Sequence, residues 1–185
     1  MRIGIYGGTF NPIHIGHTSL AQSLIEQRLV DEVWLMVSPQ NPMKQPSADD
    51  YQHRINMANL ATQGMPHIRV SDFERNLPLP SYTITTLNTL STTYPQHQFT
   101  LIIGADNWQR FPQWYHADEI ISRYHLLIYR RPGYNIEPQS LPPTAHIVDT
   151  PLYDVSSTDI RNHKKQKMIS PDVRRYIKTH HLYSY

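Results

Sequence analysis

Apolar residues gather into short runs set far apart: Ile3 to Tyr6, Val33 to Val37, Ile68 to Ser71, Thr100 to Ile103, Leu126 to Tyr129 and His146 to Val148. Their length and β-branched character predict strands. A run such as Val33-Trp34-Leu35-Met36-Val37 has no polar alternate position, so both faces must be covered, the condition of a parallel sheet between helices. The intervening segments supply those helices. Between His17 and Val30, the apolar Leu20, Ala21, Leu24, Ile25 and Leu29 fall on one helical stripe, with Gln22, Glu26 and Gln27 largely opposite. Helical patterns also cover Asp49 to Ala61, Ser81 to Leu90, Asp118 to Ser122 and Pro171 to Thr179. The alternation predicts an α/β fold with a doubly wound parallel sheet, helices on both faces and ligands beyond the carboxyl ends of the strands.

Proline punctuates the remainder in clusters at Pro39, Pro42 and Pro46, at Pro78 and Pro80, and at Pro138, Pro142 and Pro143. These read as loops. The stretch from Pro132 to Pro143 reads as a flexible insertion too short to link two domains. With 185 residues, one domain spanning 1–185 is expected.

Composition narrows the function classes. Lys and Arg number 17 against 15 Asp and Glu, a net charge of +2, and the hydrophobic fraction is 39%. That balance suits a soluble globular protein and argues against one devoted to nucleic acid. No apolar run approaches the roughly 18 residues of a spanning helix, and no charged start leads into an apolar signal segment; a cytoplasmic protein without a membrane partner is expected. The absence of cysteine excludes a disulfide scaffold, a thiolate nucleophile and cysteine-ligated zinc.

Of seven glycines, Gly4, Gly7, Gly8 and Gly16 precede residue 17. They frame Gly7-Gly8-Thr9-Phe10-Asn11-Pro12-Ile13-His14-Ile15-Gly16-His17, which leaves the first strand and enters the first helix. Free backbone N–H groups and the positive end of a helix dipole converge at such a junction, and glycine lets phosphate oxygens approach. The string matches neither G-x-G-x-x-G nor a Walker A loop. His14 and His17, three residues apart, can face one anion and stabilise charge that develops on phosphorus. The pair could alternatively hold a metal, but it lacks an H-E-x-x-H frame and an obvious third ligand nearby. Farther along, Ser156-Ser157-Thr158 stands at a helix start, where hydroxyls and unpaired N–H groups can hold triphosphate oxygens or simply cap the helix. Arg161, one turn on, can fork onto phosphate. Lys44 follows the second strand and can reach the same phosphates or remain a surface lysine; Arg54 can approach the site or lie on a helix surface. Trp114 and Tyr115 offer faces for a flat ring or for the core, and Thr83 and Asp106 could fix a sugar or the surroundings of an acceptor carboxylate. Trp34 and Trp108 read as structural.

The loop resembles the signature of the H-x-G-H nucleotidyltransferase superfamily. His14-Ile15-Gly16-His17 also matches the class I aminoacyl-tRNA synthetases, with Lys167-Met168-Ile169-Ser170 a faint echo of their second motif, but the chain has no room for tRNA-reading parts. Ser81-Tyr82-Thr83, Gly104-Ala105-Asp106, Trp114-Tyr115, Arg130-Arg131-Pro132-Gly133 and Ser156-Ser157-Thr158-Asp159-Ile160-Arg161 occur in the order found in bacterial nicotinate-nucleotide adenylyltransferases, and the similarity runs essentially end to end. The resemblance implies a Rossmann-like nucleotidyltransferase fold and transfer of AMP from ATP to nicotinate mononucleotide. It implies catalytic roles for His14, His17, Lys44 and Arg161. ATP would meet Gly8, Thr9, Phe10, His14, His17, Gly104, Asp106, Ser156, Ser157, Thr158 and Arg161. The acceptor would meet Thr9, Lys44, Thr83, Asp106, Trp114, Tyr115 and Arg131, with its ring against Trp114. Mg²⁺ would be bound mainly through the ATP phosphates, with no protein residue assigned to it, and the protein would be a monomer or small homo-oligomer. Phosphopantetheine adenylyltransferase, which usually has Thr in place of the first motif histidine, is disfavoured by His14 and by Ser81-Tyr82-Thr83. A nicotinamide-preferring enzyme would carry much the same motifs, and so would a nucleotide sensor without turnover, although the intact His14, His17, Lys44 and Arg161 weigh against a sensor. Two positions depart from the family pattern: Asn11 stands for the usual aspartate of G-G-[ST]-F-D-P, and Met43 for a histidine that often precedes the basic residue.

Overall fold

The computed structural model describes residues 1–39 and 48–184. Six parallel strands, β1 (Arg2–Gly8), β2 (Glu32–Val37), β3 (Ile68–Ser71), β4 (Gln98–Gly104), β5 (His125–Tyr129) and β6 (Ala145–Val148), form one sheet in the order β3-β2-β1-β4-β5-β6. β1 lies between β2 and β4, pairing Ile5 with Trp34 on one side and with Leu101 on the other. The order reverses between β1 and β4, which opens the crevice where a doubly wound sheet takes its ligands.

The unbroken apolar run of β2 is explained by two cores. Val33, Leu35 and Val37 pack on one face of the sheet with Leu20, Ala21 and Leu24 of α1 (Ile15–Glu26), Met57 and Ala58 of α2 (Ala48–Ala61) and Val173 and Ile177 of α7 (Pro171–Thr179). Trp34 and Met36 face the other side, with Ile84, Leu87 and Leu90 of α3 (Thr83–Thr93) and Ala117 and Ile120 of α5 (Ala117–Arg123). Strand alternation thus feeds both layers.

Helix ends follow local chemistry. α1 stops at Glu26, short of the predicted Val30, because Arg28 takes φ 57° and Leu29 N–H bonds back to Leu24 C=O at 3.0 Å. With Arg28 N–H on Ile25 C=O, this is a Schellman closure. α3 runs three residues past Leu90 through a threonine-rich stretch of weak helix propensity; Thr92 and Thr93 hydroxyls donate to carbonyls four residues back. α4 (Ala105–Arg110) springs directly from β4 with no spacer and has no counterpart among the predicted helices, whereas α6 (Ser157–Arg161) begins at the serine run, as its sequence predicts. The Pro132 to Pro143 stretch carries an anchor rather than free chain: Ile136 is buried in the second core, and Arg131 bridges Tyr134. Ile169 of the synthetase-like echo is core, and Ser170 caps α7 by accepting from Val173 N–H. No helix among the described residues is long and apolar enough to cross a membrane.

Candidate active site

The carboxyl ends of β1, β2, β4 and β5 bring together the loop after Gly8, Ser38, Gly104 and Tyr129. In the loop from β1 to α1, three carbonyls are taken by donors from other elements. Arg54 of α2 donates to Thr9 C=O at 2.8 Å, Arg161 of α6 to Asn11 C=O at 2.6 Å, and Ser157 to Pro12 C=O at 2.9 Å. Because a trans peptide points its N–H opposite to its carbonyl, the Phe10 and Ile13 N–H groups face away from these donors, as anion binding requires. Arg54 is buried and also holds Ser38 C=O at 2.8 Å, fastening the loops after β1 and β2 together. Its role lies in the interior, not on the helix surface. Tyr183 donates to the Asn11 side-chain oxygen, bringing the end of the chain against the same loop.

His14 and His17 stack with ring centroids 3.7 Å apart. The His14 backbone N–H donates to Nδ1 of His17 at 3.1 Å, so neutral His17 carries its proton on Nε2. Phe10 meets the His17 ring edge-on at 5.0 Å. Burial lowers the His14 pKa to about 4, the Arg131 charge pushing the same way against Asp159. Burial, His14 and Arg131 hold His17 well below the ordinary imidazole range. Both rings are therefore uncharged donors in the free protein at neutral pH. His14 Nδ1 is buried and finds no hydrogen-bond partner among the described residues. The glycine between them leaves room for the ring: a Cβ on Gly16 would stand 3.0 Å from His14 Nδ1 and 3.1 Å from its Cε1, so the imidazole would have to shift by a few tenths of an ångström.

At α6 the capping reading is correct for one serine. Ser156 Oγ accepts from Asp159 N–H at 3.1 Å while Ser156 N–H donates to the Asp159 carboxylate at 3.0 Å. Ser157 reaches the β1–α1 loop, and Arg161 spans Asn11 C=O and Thr158 Oγ1, the latter at 2.9 Å. Arg161 thus braces the loop. Of the lysines nearby, Lys165 pairs with Asp154 at 2.9 Å.

Between β1, β4 and α3 lies a cavity of about 310 Å³. Gly8, Thr9, Thr83, Gly104, Trp114 and Tyr115 line it, joining most of the predicted acceptor residues. Tyr82 and Tyr115 lie 4.5 Å apart at its exposed rim, and Trp114 leans on Phe111 at 5.2 Å. Asp106 and Arg131 do not line it; they face each other at 3.6 Å, too far for a hydrogen bond. Asp106 Oδ1 is buried without a hydrogen-bond partner among the described residues. A Cβ on Gly104 would overlap that oxygen. Tyr6 and Tyr129, 3.3 Å apart through their hydroxyls, underlie Arg131, and burial raises both phenols. Trp34 lies in the core with its N–H on Glu32 at 3.0 Å, and Trp108 stacks on Phe111 at 5.2 Å. Lys44 and Met43 lie outside the described residues.

Sequence reasoning missed Glu74, a buried acid in a four-residue turn too short for periodicity, and the tyrosine pair. For Arg54 a signal existed: Tyr51, Arg54 and Ala58 follow the i, i+3, i+7 spacing of one helical face, and all three are buried.

A cytidylyltransferase-like family model matches residues 5–163. A Bacteroides fragilis protein named "Probable nicotinate-nucleotide adenylyltransferase" is 49% identical over 86% of this chain and 80% of its own. A Bacteroides thetaiotaomicron protein of the same name is 45% identical over 96% and 91%. In fold, the chain is similar to the Plasmodium falciparum nicotinic acid mononucleotide adenylyltransferase complexed with NaAD, with TM-score 0.86, 21% identity and coverage of 100% and 98%.

Proposed function

The chain belongs to the cytidylyltransferase-like family, and on that premise we propose that it is a nicotinate-nucleotide adenylyltransferase. It transfers AMP from ATP to nicotinate mononucleotide, forming nicotinate adenine dinucleotide (deamido-NAD) and pyrophosphate in NAD biosynthesis. The observation that carries this reading is the stacked, uncharged pair His14 and His17 at the start of α1, beside an aromatic-lined cavity. An anion-binding loop next to a ring-sized pocket suits a mononucleotide acceptor whose phosphate must meet that of ATP.

The nucleophile needs no general base, because a mononucleotide phosphate, with a second pKa near 6, is largely ionised at pH 7. Catalysis then rests on positioning and on donors aimed where charge grows. In this reading His17 Nε2–H and the His14 imidazole meet oxygens on the α-phosphorus as the acceptor attacks in line and pyrophosphate departs. Gly8, Thr9 and Phe10 form the phosphate loop. Ser156, Ser157 and Thr158 contribute the α6 start to the triphosphate, and Arg161 holds that start to the loop. Lys44 would add a point charge over the same phosphates. The acceptor ring lies against Trp114, beside Thr83 and Tyr115, while Gly104, Asp106 and Arg131 border the two nucleotides. The groups assigned here to the phosphates offer N–H and O–H, complementary to anions. Mg²⁺ therefore suits the triphosphate and its water, where it would neutralise charge on the phosphates. Residues 1–185 would work as one domain, in the cytoplasm, as a monomer or small homo-oligomer.

The test is pyrophosphate release from ATP and Mg²⁺ with nicotinate mononucleotide, nicotinamide mononucleotide or phosphopantetheine, each product identified by mass. Turnover strongest with the nicotinate acceptor supports the reading. ATP binding with no turnover on any acceptor contradicts it.

A further inference from the structure

The cavity beside the histidine pair is lined by aromatic, aliphatic and neutral polar groups, with one exception. Glu74 is the only acidic or basic side chain among its described lining residues. It sits in the turn Phe73–Asn76 that follows β3 and is 7% exposed. The Thr86 hydroxyl of α3 donates to its Oε1 at 2.7 Å, and the Ser38 hydroxyl after β2 also bonds its carboxyl group. Burial raises its pKa, and the Thr86 and Ser38 hydroxyls offset only part of that rise. The two hydroxyls can donate to the ionised carboxylate and so favour it against the cost of burial. A lone carboxyl group in the wall of a pocket for a mononucleotide calls for an account, since in its ionised form it would repel the acceptor's phosphate and carboxylate.

That account lies in the ring. The nitrogen joining a pyridine to ribose is quaternary, so the ring of such a nucleotide carries a positive charge. The aromatic surfaces of Trp114, Tyr82 and Tyr115 favour a flat cation through their π faces, and the carboxylate adds the counter-charge. We infer that Glu74 is a specificity-determining residue that selects a positively charged pyridinium ring over a neutral ring of the same shape. The inference rests on the acceptor reading above and adds to it a charge criterion that Trp114 stacking alone does not supply. Glu74 takes no part in the bond-making step, so its effect falls on acceptor binding and leaves ATP binding unaltered.

The test compares two ligands by titration calorimetry: nicotinate mononucleotide and its 1,4-dihydropyridine form, which keeps the carboxylate, ribose and phosphate but has an uncharged ring. Wild type is expected to bind the oxidised ring at least tenfold more tightly. Glu74→Gln is expected to raise the Kd of the oxidised form at least tenfold, to leave the dihydro form within twofold, and to leave the Kd of ATP unchanged. Glu74→Asp, which keeps the charge, should retain most of the preference. Equal wild-type affinities for the two rings overturn the proposal without any variant, as does a Glu74→Gln variant that weakens both ligands alike. A wild type that binds the two rings equally yet turns over nicotinate mononucleotide defeats this inference alone. Failure to bind either ring defeats the acceptor reading and this inference with it.

Discussion

Arg161 of α6 and Asn11 of the loop before α1 lie 150 positions apart in the chain, yet the guanidinium donates to the Asn11 carbonyl at 2.6 Å. Its second nitrogen holds Thr158 Oγ1 at 2.9 Å, so one side chain joins the two helix starts assigned to phosphate. Arg161→Ala should therefore misplace the loop as well as remove a charge. The expected cost is about 1–3 kcal/mol in urea unfolding, with kcat/KM for ATP reduced at least about tenfold. Arg161→Lys should recover little of either, because an ammonium cannot span both acceptors as a planar fork does. Full recovery by lysine would show that only the charge matters.

Gly16→Ala separates stability from activity. Alanine favours a helix over glycine by about 1 kcal/mol, and the site lies in the first turn of α1. The added methyl, however, would press on the His14 ring at 3.0 Å and turn it. The expected result is a melting temperature equal to or above wild type, with kcat lowered at least about tenfold. Wild-type kcat in this variant would show that the ring's pose is not critical.

Buried neutral histidines link stability to pH. The folded His14 pKa, near 4, lies below its unfolded value of 6.5, and that of His17 is also depressed. Protonation therefore favours the unfolded chain. The contribution is fully present above pH 6.5 and is lost as pH falls toward 4, amounting to roughly 3 kcal/mol for His14. Urea unfolding of wild type and His14→Asn, which keeps a competent cap residue, should show a flatter pH dependence for the variant in that window. Parallel curves would place the loss elsewhere.

All six strands were legible because each is a short segment rich in apolar and β-branched residues, and β2 announced burial on both faces by having no polar alternate. α4 was not legible: six residues hold too few turns to show a period, and it begins at the residue that follows a strand. The histidine pair could be read because its glycine, spacing and helix start form one local string. Arg54 and Glu74 could not be assigned from such strings, since the partners that give them meaning, Thr9 and Ser38 for one and Thr86 and Ser38 for the other, come from distant segments. Ser156 shows the converse, a residue with a plausible phosphate role whose side chain is engaged in capping its own helix.

Trp114 gives the acceptor side a separate test. Its removal as Trp114→Ala should raise KM for nicotinate mononucleotide at least about tenfold, the size of a lost stacking face of about 1.5 kcal/mol, with KM for ATP little changed. A rise confined to ATP would reverse the assignment of the cavity.

The central claim is that the uncharged imidazoles of His14 and His17 act on the phosphorus in the transition state and contribute little to acceptor binding. Its most direct test is kcat for His17→Ala, measured by pyrophosphate release alongside the calorimetric Kd of nicotinate mononucleotide. The account predicts a fall in kcat of about 10²–10³, with Kd within about threefold of wild type. An unchanged kcat, or a loss confined to acceptor affinity, would contradict it.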